Sequence, residues 1–172
     1  SLKGFQTVFL SNGNFGQNLN EGTPFTQGNS EAVQDYLESG GNLYVEMGGM
    51  FYKMYQDNYP NKAAMKDLFG VNFLTTSYEE NPIDTLLGVS GTPMAGMLFD
   101  RSDQLYNWHI DRMTPQPGAM TPFTEQGYGE IAIMNDGPSN DNYKSFYMGY
   151  SLAELRDRDE TSSRYNVLLK TM

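Results

Sequence analysis

Residues able to do chemistry are scarce in this chain. It holds one histidine and no cysteine among 172 residues. That excludes thiolate nucleophiles, disulfides, iron–sulfur clusters and thiolate zinc sites. The histidine, His109, stands in Asn107-Trp108-His109-Ile110-Asp111-Arg112. Strand alternation would set His109 and Asp111 on one side, within reach of a hydrogen bond. The second candidate is Glu46, near the end of the strand-like run Leu43-Tyr44-Val45-Glu46-Met47 and followed by Gly48-Gly49. A carboxylate at the carboxyl end of a parallel strand faces the crevice where open α/β sheets take ligands. Glu46, Gly48 and Gly49 are therefore the ligand-binding candidates. Structural roles compete with each of these: backbone amides at the turn for Glu46, close backbone approach for the glycines, and surface packing for His109.

Other chemistries lack their motifs. Gly88-Val89-Ser90-Gly91 misses the register of a G-x-S-x-G nucleophile elbow, and neither a Walker-type nor a G-x-G-x-x-G phosphate loop occurs. No cofactor is expected. Calcium is the one ion with a donor supply, in Asn135 to Asn142 and Asp157 to Glu160. Neither stretch follows the twelve-residue calcium loop, and Asp136-Gly137-Pro138 is first a turn signal. Tyr106, Trp108, Phe51, Tyr52, Tyr55 and Tyr59 would serve as a carbohydrate platform if exposed together, and as core and rim if not.

The elements that must position these residues follow from pattern. Phe5 to Leu10 is β-branched and aromatic and ends at Ser11-Asn12-Gly13-Asn14, as a buried strand would. A polar loop runs on to Gly28. Asn29 or Ser30 caps a helix with Val33, Tyr36 and Leu37 on one face, stopped by Gly40-Gly41. The strand Leu43 to Met47 follows, so strand, helix and strand make a βαβ unit with parallel pairing. Asn61 caps a second helix with Ala64, Met65 and Leu68 inward and Gly70 beyond its end. Five strand-like runs come next: Ile83–Ser90, Met97–Asp100, Ala119–Glu125, Glu130–Met134 and Lys144–Met148. Some would extend the main sheet and others form an antiparallel excursion. A closing helix from Ser162 presents Tyr165, Leu168 and Leu169 on one face.

Three stretches together, Phe5 to Gly13, Val33 to Gly49 and Tyr143 to Leu155 with its final helix, resemble the class I glutamine amidotransferase-like domains of large secreted or surface bacterial proteins. The specific block is Tyr36-Leu37-Glu38-Ser39-Gly40-Gly41-Asn42-Leu43-Tyr44-Val45-Glu46-Met47-Gly48-Gly49. The resemblance implies a flavodoxin-like α/β fold, a three-layer sandwich on a mainly parallel central sheet with an antiparallel excursion in the middle of the chain. It implies one domain over residues 1–172, excised from a longer protein and lacking the family's usual first strand and helix. It also puts Met47 where catalytic relatives carry their cysteine. A thioether has no ionisable proton and cannot open an acyl-transfer cycle.

The expected role is accordingly a non-catalytic accessory or interaction domain of a secreted or cell-surface bacterial protein. Two alternatives stand beside it: a hydrolase using Glu46 in place of cysteine, and a structural subunit of a surface assembly. A net charge of −10 and a pI near 4.4 repel phosphate backbones, so nucleic acid is not an expected partner. No apolar run is long enough to cross a bilayer. Expected partners are other domains of the parent protein or a surface ligand, carbohydrate included.

Overall fold

The computed structural model describes residues 2–13, 25–76, 84–101, 110–125, 127–137 and 142–171. Its N-terminal part is the βαβ unit. Strand β1 (Thr7–Gly13) pairs parallel with β2 (Asn42–Met47), in the register Phe9 to Tyr44 and Ser11 to Glu46. Helix α1 (Gln27–Glu38) joins them. Its cap is Thr26, whose hydroxyl accepts the Asn29 N–H at 3.2 Å, so the helix starts before the expected Asn29 or Ser30. Ser30, Val33, Tyr36 and Leu37 are buried. At the other end, Gly40 adopts φ 88° and the Gly41 N–H closes on the Tyr36 carbonyl at 3.1 Å.

Gly41 has a steric duty. A Cβ there would lie 2.2 Å from Cζ of Tyr36, whose ring covers the glycine. The Tyr36 hydroxyl reaches past it to donate to the carbonyls of Phe5 and Asn42, each at 3.1 Å. The Tyr36 to Gly41 spacing thereby locks α1 to the start of both parallel strands.

Beyond β2, helix α2 (Met50–Gln56) follows directly, an element the sequence reading lacks. Helix α3 (Lys62–Phe69) lies between Asn61 and Gly70, the latter at φ 64°, with Met65 and Phe69 buried. Strands β3 (Val71–Thr76), β4 (Thr85–Gly88), β5 (Leu98–Arg101), β6 (Asp111–Pro115), β7 (Met120–Glu125), β8 (Gly129–Asn135) and β9 (Lys144–Met148) come next. A 3-10 turn (Leu152–Glu154), the short β10 (Leu155–Arg156) and helix α4 (Arg164–Thr171) close the chain. Within α4 it is Val167 that is buried; Tyr165 and Leu169 face outward, against expectation.

Eight strands form one sheet in the order β1-β2-β9-β8-β7-β4-β5-β10, and β3 pairs antiparallel with β6 apart from it. Among the described strands, only β1 with β2 and β2 with β9 are parallel. The pairs β9–β8, β8–β7, β7–β4, β4–β5 and β5–β10 are antiparallel. The expected three-layer sandwich on a mainly parallel sheet is thus wrong. The sheet is mixed, mostly antiparallel, and curls into a half-barrel carrying four helices. The physical reason is connection length. A parallel neighbour needs a crossover, supplied by α1, whereas β7 and β8 meet through a tight turn and must run antiparallel. What looked like an excursion is most of the sheet.

Alternation along β2 feeds two cores. Leu43, Val45 and Met47 join α1, α2, α3, β3 and Tyr147 on one side. Tyr44 joins Phe146, Met148, Phe123, Leu152 and Val167 on the other.

Candidate functional site

Two buried carboxyl groups lie near the carboxyl ends of β2 and β9, Glu46 of β2 on one side of the sheet and Asp111 of β6 on the other. Glu46 lies on the Tyr44 side and is 5% exposed. Its Oε1 accepts the hydroxyls of Ser11, from β1, and Ser151, at 3.3 Å. Its Oε2 accepts the Tyr44 hydroxyl at 3.1 Å and the Leu152 N–H at 3.1 Å. Four donors thus meet the roughly four lone-pair positions that a carboxylate offers. They come from β1, β2 and the start of the 3-10 turn (Ser151 and Leu152), so Glu46 ties the two parallel strands to the chain leaving β9. Burial, with the carboxylate beside it, raises the Tyr44 hydroxyl well above the ordinary tyrosine range.

A cavity of about 340 Å³ opens beside this cluster, lined mainly by Phe9, Tyr44, Leu152 and Leu168, with Ser11, Glu46 and Arg164 as further polar groups. No second carboxylate lines it among the described residues.

Asp111, on β6, is the second carboxyl and has no exposure at all. Its Oδ2 accepts the Phe51 N–H at 2.8 Å and its Oδ1 the Tyr52 N–H at 3.2 Å. These are the second and third residues of α2, whose N-cap Gly49 sits at φ 72° and has no side chain to cap with. Asp111 therefore serves as the helix cap from another strand, satisfying amides that the glycine leaves open. Oδ2 also lies 2.7 Å from the Tyr147 hydroxyl, which in turn lies 2.9 Å from the Met47 carbonyl. Burial raises the Asp111 carboxyl from 3.8 to about 7, against the lowering effect of these donors. Tyr147 is raised well above its ordinary range by burial first and the adjacent carboxyl second.

The expected site residues are distributed as follows. Met47 is wholly buried in the core, so its turn is a strand-to-helix junction with nothing presented to solvent at that position. Gly48 and Gly49 are buried as well, spent on the turn into α2. His109 lies outside the described residues, and Asp111 is committed to α2 and Tyr147. Of the aromatic candidates, Phe51 and Tyr59 are core residues. Tyr55 stacks on Phe73 beneath Lys62, and Tyr106 and Trp108 lie outside the described residues. Of the calcium candidates, Asn135 donates to the carbonyls of Asp67 and Leu68, at 3.3 and 3.1 Å. Asp157 accepts from Arg164 and Asp159 from Ser162; residues 138–141 are undescribed. Among the described residues, no three acidic or histidine side chains cluster as metal ligands. Nor is any helix long and apolar enough to cross a membrane. The reading missed Tyr147 and the capping role of Asp111, since neither carries a local signal.

No protein-family model matches this sequence, and no curated protein does. A solved structure of the mmIFT52 N-terminal domain matches the fold at a TM-score of 0.56, with 14% sequence identity, over 99% of this chain and 79% of that one. At that identity the likeness is one of fold alone. It overturns the resemblance drawn from the Tyr36 to Gly49 block, since the solved structure that this fold resembles is an mmIFT52 N-terminal domain. The chain is similar in fold to the mmIFT52 N-terminal domain.

Proposed function

We propose that this domain is a non-catalytic interaction or assembly module of a larger secreted or cell-surface protein. The carrying observation is the saturation of Glu46. A general base needs a lone pair free for the substrate's proton, and here Ser11, Tyr44, Ser151 and Leu152 use them all. The carboxylate's role is to hold β1, β2 and the Ser151 segment together. The similar fold in mmIFT52 is an N-terminal domain, hence one part of a longer chain. An acidic, lysine-poor composition suits a secreted protein in salt, while the absence of cysteine fits either compartment.

The decisive experiment is a turnover screen with chromogenic esters, amides and glycosides, comparing the wild type with Glu46→Gln. We expect no turnover from either protein. Turnover that Glu46→Gln abolishes, with an unchanged circular dichroism spectrum, overturns the non-catalytic role. Recovery of the native protein from the cytosol alone overturns its placement outside the cell.

A further inference from the structure

We infer that the free edge of β1 is a self-association surface, on which a second copy of this chain adds its own β1 antiparallel. The inference rests on the interaction role proposed above and names its partner. In the eight-stranded order β1 is terminal, so among the described residues no strand pairs with its outer side. The Asn42 N–H donates to the Gln6 carbonyl at 3.0 Å, and Asn42 is the register partner of Thr7. A parallel ladder with that phase turns the N–H and C=O groups of Val8 and Leu10 toward β2. Those of Thr7, Phe9 and Ser11 then point outward.

This edge lacks blocking charges and prolines, and its register shift, between Ser11 and Gly13, lies at the end of the segment that would pair. Residues 4 to 20 contain no charged residue and no proline, in a chain of net charge −10. Two copies that each carry this net charge repel overall, and an uncharged strand adds nothing to that repulsion where they meet. It is also self-complementary. Two-fold pairing centred on Phe9 sets Phe9 beside its mate and Thr7 opposite the mate's Ser11. On the other face, Val8 comes opposite Leu10. Phe9 is 42% exposed and ends an aromatic row, 5.5 Å from Tyr44, which stacks 5.1 Å from Phe146. Pairing at Phe9 continues that row across the two-fold axis, burying on each copy the ring that the edge leaves uncovered.

Sedimentation velocity of the domain over a concentration series tests this. The wild type is expected to form a dimer that tightens with added salt, as screening relieves the repulsion between acidic copies. Thr7→Pro removes an outward N–H and leaves the β1–β2 ladder whole. It should weaken the dimer by about tenfold or more, because the two-fold axis counts each loss twice. Phe9→Lys should also abolish it, with the circular dichroism spectrum and melting temperature checking that the fold survives. Leu74→Lys, at a 62% exposed apolar site on β3, should leave it intact.

The absence of native cysteine permits a direct probe. Paired residues at the axis lie about 5.5 Å apart, within the disulfide range, so Phe9→Cys should cross-link under mild oxidation and Leu74→Cys should not. A chain that stays monomeric at millimolar concentration overturns the inference. So does a dimer indifferent to Thr7→Pro and Phe9→Lys, or an edge filled only by a strand of another sequence. Each of those outcomes leaves the non-catalytic role standing, since that role fails only on Glu46-dependent turnover.

Discussion

Replacing Asp111 with asparagine tests whether the carboxyl under α2 is held neutral by the fold. The Tyr147 hydroxyl lies within hydrogen-bond distance of both Asp111 Oδ2 and the Met47 carbonyl. One phenolic proton cannot serve both fully, but a protonated Asp111 donates to Tyr147 and frees the phenol for Met47. Burial moves the carboxyl the same way, from 3.8 to about 7. A carboxyl with a raised folded pKa favours folding while protonated. Its contribution is complete below about pH 4, shrinks as pH rises, and is gone above about pH 7. About 3 pH units at about 1.4 kcal/mol each amount to about 4 kcal/mol. Asparagine does not titrate, and in either amide orientation it opposes one donor of the helix, losing about 1 kcal/mol. Urea unfolding from pH 3 to 8.5 should therefore show Asp111→Asn about 1 kcal/mol less stable than the wild type near pH 3, about equal to it near pH 4.5 and more stable at pH 8, with an unchanged slope. Self-repulsion of an acidic chain also lowers stability as pH rises, but it acts on both proteins, so their difference isolates the residue. Parallel curves across this range would refute a neutral Asp111.

Glu46 gives the complementary contrast. Glu46→Ala strands the Tyr44 hydroxyl and the Leu152 N–H in the interior and should cost about 3–4 kcal/mol in chemical unfolding. Glu46→Gln should cost only about 1–2 kcal/mol, because the Ser11 and Ser151 hydroxyls can turn to accept from the amide. Gly41→Ala forces a methyl to 2.2 Å from the Tyr36 ring and should lower stability by about 3 kcal/mol, read as a fall in melting temperature. Met47→Cys should remain unreactive to a thiol reagent under native conditions and react once unfolded, because the position is wholly buried.

Elements with local signals were legible. The spacing Val33, Tyr36, Leu37 with Gly40-Gly41 behind it located α1, and Asn61 with Gly70 bracketed α3. The five strand-like runs became β4, β5, β7, β8 and β9. Their pairing direction was not legible, because Lys144 to Met148 reads identically whether its neighbours run with it or against it. Strand β9 does both, parallel to β2 and antiparallel to β8. Strand β6 was missed because Asp111-Arg112-Met113-Thr114-Pro115 opens on charges and ends on proline. Its alternation appears only once Asp111 and Met113 are buried and Arg112 lies outward over the Tyr128 ring.

Helix α2 shows why the site itself stayed hidden. A helix start is read from a Ser, Thr, Asp or Asn just before it, and here that position is Gly49. The capping carboxyl group is present but stands 60 residues away at Asp111. Sequence distance thus split one structural device into two misleading fragments. One was a strand-to-glycine turn that looked like a nucleophile's seat. The other was an aspartate beside a histidine that looked like half of a catalytic pair. Joined in space, they make a capped helix start, and the ligand crevice expected above Met47 is occupied by the amides of Phe51 and Tyr52 on Asp111. The same logic holds across the sheet, where Glu46 gathers donors from residues 11, 44, 151 and 152. A carboxylate at a strand end signals a site only while its lone pairs are free, and that depends on the partners the fold brings.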